Sequence, residues 1–424
     1  MIKEAFIQDT KTFKRKALYW ASSFDTACVF DSNTFTDAYS KFDFMLAADA
    51  TDQLKANAGT SFIDLKSFKE KHCGKWLPGF LSYDLKNETE NLTSENFDLL
   101  QFPDLYFFVP KHVLLMKNNQ LEIISDQAEE VFELINETSL PNLILKNNVK
   151  TQARISKESY LQKAEQIRQH IVRGDIYETN FCQEFYAENA QIDPTYVFDQ
   201  LNTVSPTPFA CYFKAGNKYI LSASPERFLA KRDQKLISQP IKGTAPRSAS
   251  PQEDEHQKNS LKNSIKEKAE NAMIVDLVRN DLTKSAVPKT VKAEELFGIY
   301  SFSHVHQMIS TITATLSKNI NAVDAVKNTF PPGSMTGAPK IRSMQLMEQI
   351  EGSKRSIYAG SVGYFSPEDD FDFSVVIRTI LFNAELNYLS FQVGSAITFQ
   401  SEPEAEYKEC MLKASAIRKV LGCK

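Results

Sequence analysis

An α+β fold on largely antiparallel sheets is the architecture this sequence predicts, and three observations predict it. Strand-like runs recur along the chain, helical periodicities stand apart from them, and the two never settle into regular strand–helix–strand alternation. The composition is that of an ordinary globular protein, 42% hydrophobic and 24% charged, which argues against disorder, collagen-like repeats and coiled coil. At 424 residues the chain has room for two to three domains of about 150 residues and can bury a core without covalent staples.

The first 150 residues carry short β-like runs, "ACVFDSN", "FDFMLAA", "LPGFLSYDL", "LYFFVPKHVLLM" and "LEIIS", separated by polar breaks. "KNNVKTQARISK" then reads as a surface linker, placing a boundary near residue 150. Beyond it, Ser156 can cap a helix whose apolar positions are Leu161, Ala164, Ile167 and Ile171, with Gly174 at its end. Strand-like runs extend from "FACYFKAGNKYILSASP" to "KLISQPIKGT". Further helices are expected around 261–283 and from about Ser401 to Leu421, the latter opened by a Ser401/Glu404 capping box with Pro403 in the first turn. "ELFGIYSFSHVHQMISTITATL" and "SIYAGSVGYFSPEDDFDFSVVIRTILF" read as strands.

Charge and cysteine usage narrow the function classes. Lys plus Arg at 49 against Asp plus Glu at 53 gives a net charge of −4, without the basic excess that phosphate backbones require, so no nucleic-acid partner is expected. No stretch of about 18 apolar residues is present and "MIKEAFIQDTKTFKRK" has no apolar signal core, so no membrane partner and a cytoplasmic location are expected. Cys28, Cys73, Cys182, Cys211, Cys410 and Cys423 are scattered without metal or disulfide spacing and read as buried or incidental thiols.

Two helices carry carboxylates where apolar residues are expected. At 100° per residue, Glu267 and Glu270 share a stripe with Ile274, Leu277 and Val278. On the last helix Glu402, Glu406, Glu409 and Lys413 flank the apolar stripe of Cys410, Ala414, Ile417 and Leu421. Helix geometry by itself favours solvated amphipathic edges; a partly buried Glu cluster would instead call for a hard cation such as magnesium. In "SQPIKGTAPR", Pro240 and Pro246 flank a turn holding Lys242, a nucleophile once desolvated, and Glu226 in "SASPERF" can serve as a general acid. Taken singly, both residues more often lie on a surface. "FPPGSMTGAPK" places Gly333, Ser334, Thr336, Gly337 and Lys340 before a helical run, either a carboxylate or phosphate cradle or simple capping.

In this order, "GDIYETN", "SPERF", "PIKGTAPR", "KAENAMIVDLVRNDL", "PPGSMTGAPK", "YAGSVGYF", "VVIRT" and "EAEYKE" resemble the chorismate-utilising enzymes. The resemblance is dense over residues 150–424 and looser before, at "SKFDFMLA" and "GFLSYDL". It implies a large two-layer α/β sandwich of mainly antiparallel sheets with helices outside, like component I of anthranilate synthase. Residues 1–150 would form an N-terminal component I-like region and 151–424 the chorismate-binding catalytic region. Lys242 stands where anthranilate-forming members carry alanine, so the members that make 4-amino-4-deoxychorismate, for para-aminobenzoate and folate, are the nearest in kind.

The resemblance further implies Mg2+ held by Glu270 and Glu409, with Glu267 and Glu406 reaching it through water. Lys242 would attack chorismate and Glu226 protonate the departing hydroxyl. Thr244, Ser334, Tyr358, Arg378, Gly394 and Lys413 would hold substrate. Chorismate and ammonia are the expected substrates, the ammonia coming from a separate glutamine amidotransferase subunit, because no Gly-x-Cys-x-Gly glutaminase turn is present. The rival readings are anthranilate formation, isochorismate formation and an inactive scaffold relative. The sequence departs from the family at Glu178, where Gln or Lys is usual, at Gln307, where a histidine is usual beside His306, and at Gly394–Ala396, less rich in glycine. "CVFDSN" replaces the Leu-Leu-Glu-Ser type motif of tryptophan-inhibited members.

Overall fold

The computed structural model describes residues 2–141, 148–302 and 305–423. Among the described residues the strands pair antiparallel, as expected for an α+β fold of this kind. One ladder runs through the molecule. From one end it passes through Lys292–Ser301, Val305–Thr315, Lys235–Gln239, Arg227–Arg232, Phe371–Val375 and Ser361–Phe365. It continues through Leu77–Leu81, Leu105–Lys117, Phe44–Ala56 and Thr26–Asp31. From there it proceeds through Phe209–Ala215, Lys218–Ser224, Thr379–Asn383, Tyr388–Ile397 and Glu178–Ala187.

Residues 1–150 therefore supply the middle of this ladder, and residues beyond 150 supply both ends. The long strands Phe44–Ala56 and Leu105–Lys117 pair along their whole length, with a register shift between Ala50 and Asp52 where the strands bend. Alternate residues divide between two cores, as the period of two demands. Cys28, Met45 and Ala47 enter one core with Phe80, Tyr106 and Phe213. Ala27, Val29, Phe44, Leu46 and Ala48 enter the other, beneath the helices Thr10–Ala21, Lys157–Val172, Pro194–Val204 and Pro403–Leu421.

Several sequence expectations need correction. The expected linker is docked: Val149 is buried and its N–H donates to the Leu421 carbonyl at 3.0 Å, while Gln152–Ala153 pairs with Tyr186 and Phe185. Lys146 and Asn147, its first residues, lie outside the described residues. The polar breaks before residue 150 hold the helices Thr10–Ala21, Ser61–Lys71 and Ala128–Glu137. The first was legible, since Asp9 caps it by accepting from the Thr12 N–H, and Phe13, Ala17 and Trp20 lie on its buried side. The helix around 261–283 is two helices, Pro251–Asn263 and Ile265–Thr283, broken at Ser264, whose side chain accepts from the Glu267 N–H. The Ser401/Glu404 capping box does not form. Ser401 Oγ instead accepts from the Thr398 N–H, and Glu404 pairs with Lys157. Ser156 does cap its helix, accepting from the Ser159 N–H.

Phe80, at 0% exposure, stacks on Tyr106 and meets Phe102 and Phe213 edge-on where the N-terminal strands join the ladder. Phe80→Ala should cost about 3–5 kcal/mol. The measurement is the unfolding midpoint in denaturant, and an unshifted midpoint would show that this aromatic junction is not what holds the two regions together.

Candidate active site

The two ends of the ladder meet at the helix Ile265–Thr283. At one end, the strand Ile241–Pro246 carries Lys242 and pairs with Val305–Thr315, with a register shift between Ile241 and Thr244. At the other end, Glu178–Ala187 pairs with the short strand Gly337–Ala338, which follows the turn Gly333–Met335. The helix packs against the first end and against that turn. Its side chains make the joints: Asn271 Nδ2 donates to the carbonyls of Lys242 and Met308, both at 3.4 Å, and Asn271 Oδ1 accepts from Ser310 Oγ at 2.6 Å. Gly243 has φ +93 and lies so close to the helix that a Cβ there would sit 3.0 Å from Glu267 Oε2. At the far end of the helix, Asp281 holds buried Lys340 at 2.8 Å.

That last contact bears on the turn at 330–340, which the sequence leaves open as an anion cradle or simple capping. Lys340 is tied to Asp281 and to the Thr329 carbonyl, and the N–H groups of Met335 and Thr336 are spent on Pro332 and Gly333, so these groups are not free to hold an anion. Ser334 remains available: its hydroxyl is buried beside Glu226 with no well-formed hydrogen bond.

Glu226 is buried, and burial pushes its carboxyl up to about 7; Lys242 and, more weakly, Arg378 oppose that rise with their positive charge. Arg378 is partly buried at φ +51; its carbonyl accepts from the Ala223 N–H at 3.1 Å, but among the described residues its guanidinium forms no hydrogen bond or ion pair; burial lowers its basicity, and Glu226 partly restores it. Lys242 is partly buried. Lys242, Glu226, Ser334 and Arg378 are thus brought to one place. Thr244 is exposed, opposite Gln307 in the register. Tyr358 is buried, and burial pushes its phenol well up. Gly394 is buried on the strand Tyr388–Ile397, where a Cβ would sit 2.8 Å from Asn180 Nδ2. Its carbonyl accepts from Lys413 Nζ at 3.0 Å.

The carboxylates of the two helices form one electrostatic cluster around Lys266, which senses Glu270, Glu406, Glu267 and Glu409 in that order and lies 3.8 Å from Glu270. Burial pushes Glu270 up to about 7 and also raises Glu267, whereas the half-exposed Glu409 is lowered, its 2.7 Å pair with Lys413 outweighing partial desolvation. Glu406 is buried and Glu402 exposed at the helix start. In donor chemistry the set suits a hard cation, all oxygen and no sulfur or imidazole. Among the described residues, however, no three such side chains converge closely enough to form a metal-holding group.

Sequence reasoning missed two organising groups. Asn271 lies inside the "KAENAMIV" motif, and a polar residue on a buried helix face was the signal available. Arg355 sits in an unremarkable polar stretch and left no signal. It pairs with Glu351 at 2.8 Å and donates to the carbonyls of Met335 and Asn180, tying the Ser334 turn to the strand that begins at Glu178. His306 points away from the site, bonded to Ser301 Oγ at 2.8 Å and Asp254 Oδ1 at 3.1 Å, whereas Gln307 is buried with Oε1 unpartnered. The cysteines are all free, with Cys28, Cys182, Cys211 and Cys410 buried.

Comparison with known proteins bears on this arrangement. The family model for the chorismate binding enzyme matches residues 14–419. The chain is 35% identical over 343 residues to aminodeoxychorismate synthase component 1 of Klebsiella aerogenes, covering 80% of this chain and 75% of that one. It is 40% identical over 270 residues to the protein of that name in Escherichia coli K12, covering 64% of this chain and 59% of the relative. Its fold matches the crystal structure of anthranilate synthase component I from Streptococcus pneumoniae, with TM-score 0.79 and 23% identity over 91% of this chain and 93% of that one. No described helix is long and apolar enough to cross a membrane.

Glu226 binds its proton more tightly in the native state, about 7, than at its ordinary 4.5. The stability it contributes is therefore complete below the ordinary value and lost as pH rises through about 7. Glu226→Gln removes this titration. Between about pH 5 and about pH 8, wild type should lose melting temperature relative to the Gln variant; a pH-independent difference would contradict the buried carboxyl.

Proposed function

The chain belongs to the chorismate-binding enzymes, and from that premise we propose that it aminates chorismate to 4-amino-4-deoxychorismate, on the route to para-aminobenzoate and folate. The observation that carries this reading is the placing of Lys242 and Arg378 around one buried acid, Glu226. In the proposed sequence the neutral Lys242 amine bonds to ring C2, the ring double bonds shift, and the C4–O bond breaks. Glu226 gives its proton to the leaving oxygen, which departs as water. Ammonia then bonds to C4 and gives its surplus proton back to the Glu226 carboxylate, the double bonds shift back, and the C2–N bond breaks, so that Lys242 is returned as the neutral amine.

Arg378 suits a carboxylate of the substrate because its guanidinium offers paired donors that no hydrogen bond or ion pair engages among the described residues. Ser334 offers a buried hydroxyl beside the acid. Magnesium would require Glu270 and Glu409, with Glu267 and Glu406 in support, to draw together around it, and would then supply positive charge for the ring carboxylate. The ammonia is proposed to come from a separate glutamine amidotransferase subunit, in keeping with the "component 1" relatives.

Intact-protein mass spectrometry of the chain with chorismate and magnesium, without ammonia, should show a chorismate-derived adduct that is absent in Lys242→Ala. If no adduct forms and Lys242→Ala makes the aminated product at the wild-type rate, the nucleophilic role fails. A Lys242→Ala enzyme that instead yields anthranilate would place ammonia directly at C2.

Excess EDTA should abolish turnover and added magnesium should restore it, with Glu270→Gln and Glu409→Gln each losing most activity. Turnover measured by product mass that survives chelation would dismiss the metal.

A further inference from the structure

Arg227 adjoins the proposed proton donor in the chain, and the proposed chemistry leaves it unused. It is 2% exposed, although its guanidinium is always charged. That group is engaged away from the reacting residues: Nε and Nη2 donate to the two oxygens of Asp372 at 3.0 and 3.2 Å, and Nη1 donates to Asp37 Oδ2 at 2.6 Å and to Gln239 Oε1. The guanidinium also lies over the Phe209 ring, 5.0 Å from its centroid.

The backbone here needs such a fastening. Arg227 opens its strand opposite Gln239 on one side and Ser374 on the other, and both registers slip immediately after it, before Ala230 and before Leu229. A slip of this kind re-aims side chains, and regular pairing does not by itself fix the direction they take. Beside it, the Glu226 carbonyl accepts from the Val375 N–H at 3.0 Å, while the Glu226 N–H leaves the ladder for Ser224 Oγ at 3.3 Å.

Asp37 brings the fastening from the N-terminal region. It lies between the strands Thr26–Asp31 and Phe44–Ala56, on a largely exposed segment that it holds in a turn by accepting from the Tyr39 N–H at 2.7 Å and from Ser40 Oγ at 3.2 Å. Asp372 is shared, since Arg232 donates to it as well. Without Asp37, two guanidinium groups would face that one carboxylate. We infer that Arg227 is a positioning residue: Asp37 and Asp372 lock its guanidinium, and the lock holds the adjoining Glu226 carboxyl beside Ser334 and Lys242. The inference deepens the amination proposed above and rests on it, and it gives residues before 150 a part in the proton transfer.

The test uses the full chain with Asp37→Asn, a change on the exposed segment that leaves Arg227 in place. The single-turnover rate of adduct formation is followed by intact mass with saturating chorismate and magnesium and no ammonia. It includes the step in which Glu226 gives up its proton, and it should fall about tenfold, because a small misplacement of a proton donor is costly. The kcat with ammonium should fall with it, while KM for chorismate and for ammonium should each stay within about twofold, since neither Arg227 nor Asp37 is placed on substrate. Asp37→Glu keeps the carboxylate for Arg227 and should hold the adduct rate within about threefold of wild type. An adduct rate unchanged in Asp37→Asn, a defect that appears in either KM, or an equal loss in both variants overturns the inference. So does an Asp37→Asn chain that fails to fold, which would make the contact structural alone. Wild type that forms neither adduct nor aminated product fails the amination reading itself, a result visible before any variant is made.

Discussion

The Asn271 side-chain amide is the point on which the site's geometry turns. It sits in a helix, is 1% exposed, and spends both kinds of hydrogen-bonding atom on backbone and side chain of one ladder end: two carbonyls accept from its nitrogen and Ser310 donates to its oxygen. A buried amide left unpaired would cost the desolvation of each group, so this joint is strongly specified. Because the helix is locked here, its other end brings Asp281 to Lys340 and its middle brings Leu277 against Gly333. One amide thereby sets the distance between the Lys242 strand and the Ser334 turn.

Around that joint the charges are arranged as opposed pairs and triples. Lys266 and Lys413 temper the glutamates of the two helices, while Lys242 and Arg378 face Glu226. Arg355 with Glu351 forms a separate pair beneath, stacked over the Tyr83 ring at 4.5 Å, and its role is architectural: it fastens two carbonyls that belong to different elements. The site thus separates groups that hold the backbone from groups left with unused hydrogen-bonding capacity. Arg378, Ser334, Gln307 and Glu178 are of the second kind, and they come from four different segments.

The fold class was legible because strand runs such as "FACYFKAGNKYIL" are long and bounded by turn residues; Phe209–Ala215 and Lys218–Ser224 form the hairpin they suggest. The break at Ser264 was not, since the polar face of Pro251–Asn263 buries only Leu261 and offers little periodicity to see. Among site residues, Lys242 and Glu226 stood out through their motifs, and the ordered set of motifs carried the family. Lys340 was ambiguous in the sequence because a lysine after a glycine-rich turn resembles an anion site, while its partner Asp281 is far away in sequence. Arg355 was invisible for a different reason: its targets in Met335 and Asn180 are backbone carbonyls, which have no side-chain signature.

The placing of the N-terminal strands in the middle of the ladder has a consequence for how the chain is made. Thr26–Asp31 must wait for Phe209–Ala215, and Leu77–Leu81 for Ser361–Phe365, before their edges are closed. Synthesis proceeds from the N-terminus, so most of the chain must emerge before the central strands acquire their final neighbours. Pairings this distant in sequence form slowly, and open strand edges invite pairing with other chains. The architecture that carries a site from both ends of one ladder therefore places its heaviest demand on the nascent chain, whose first half is committed to β structure long before the second half arrives to complete it.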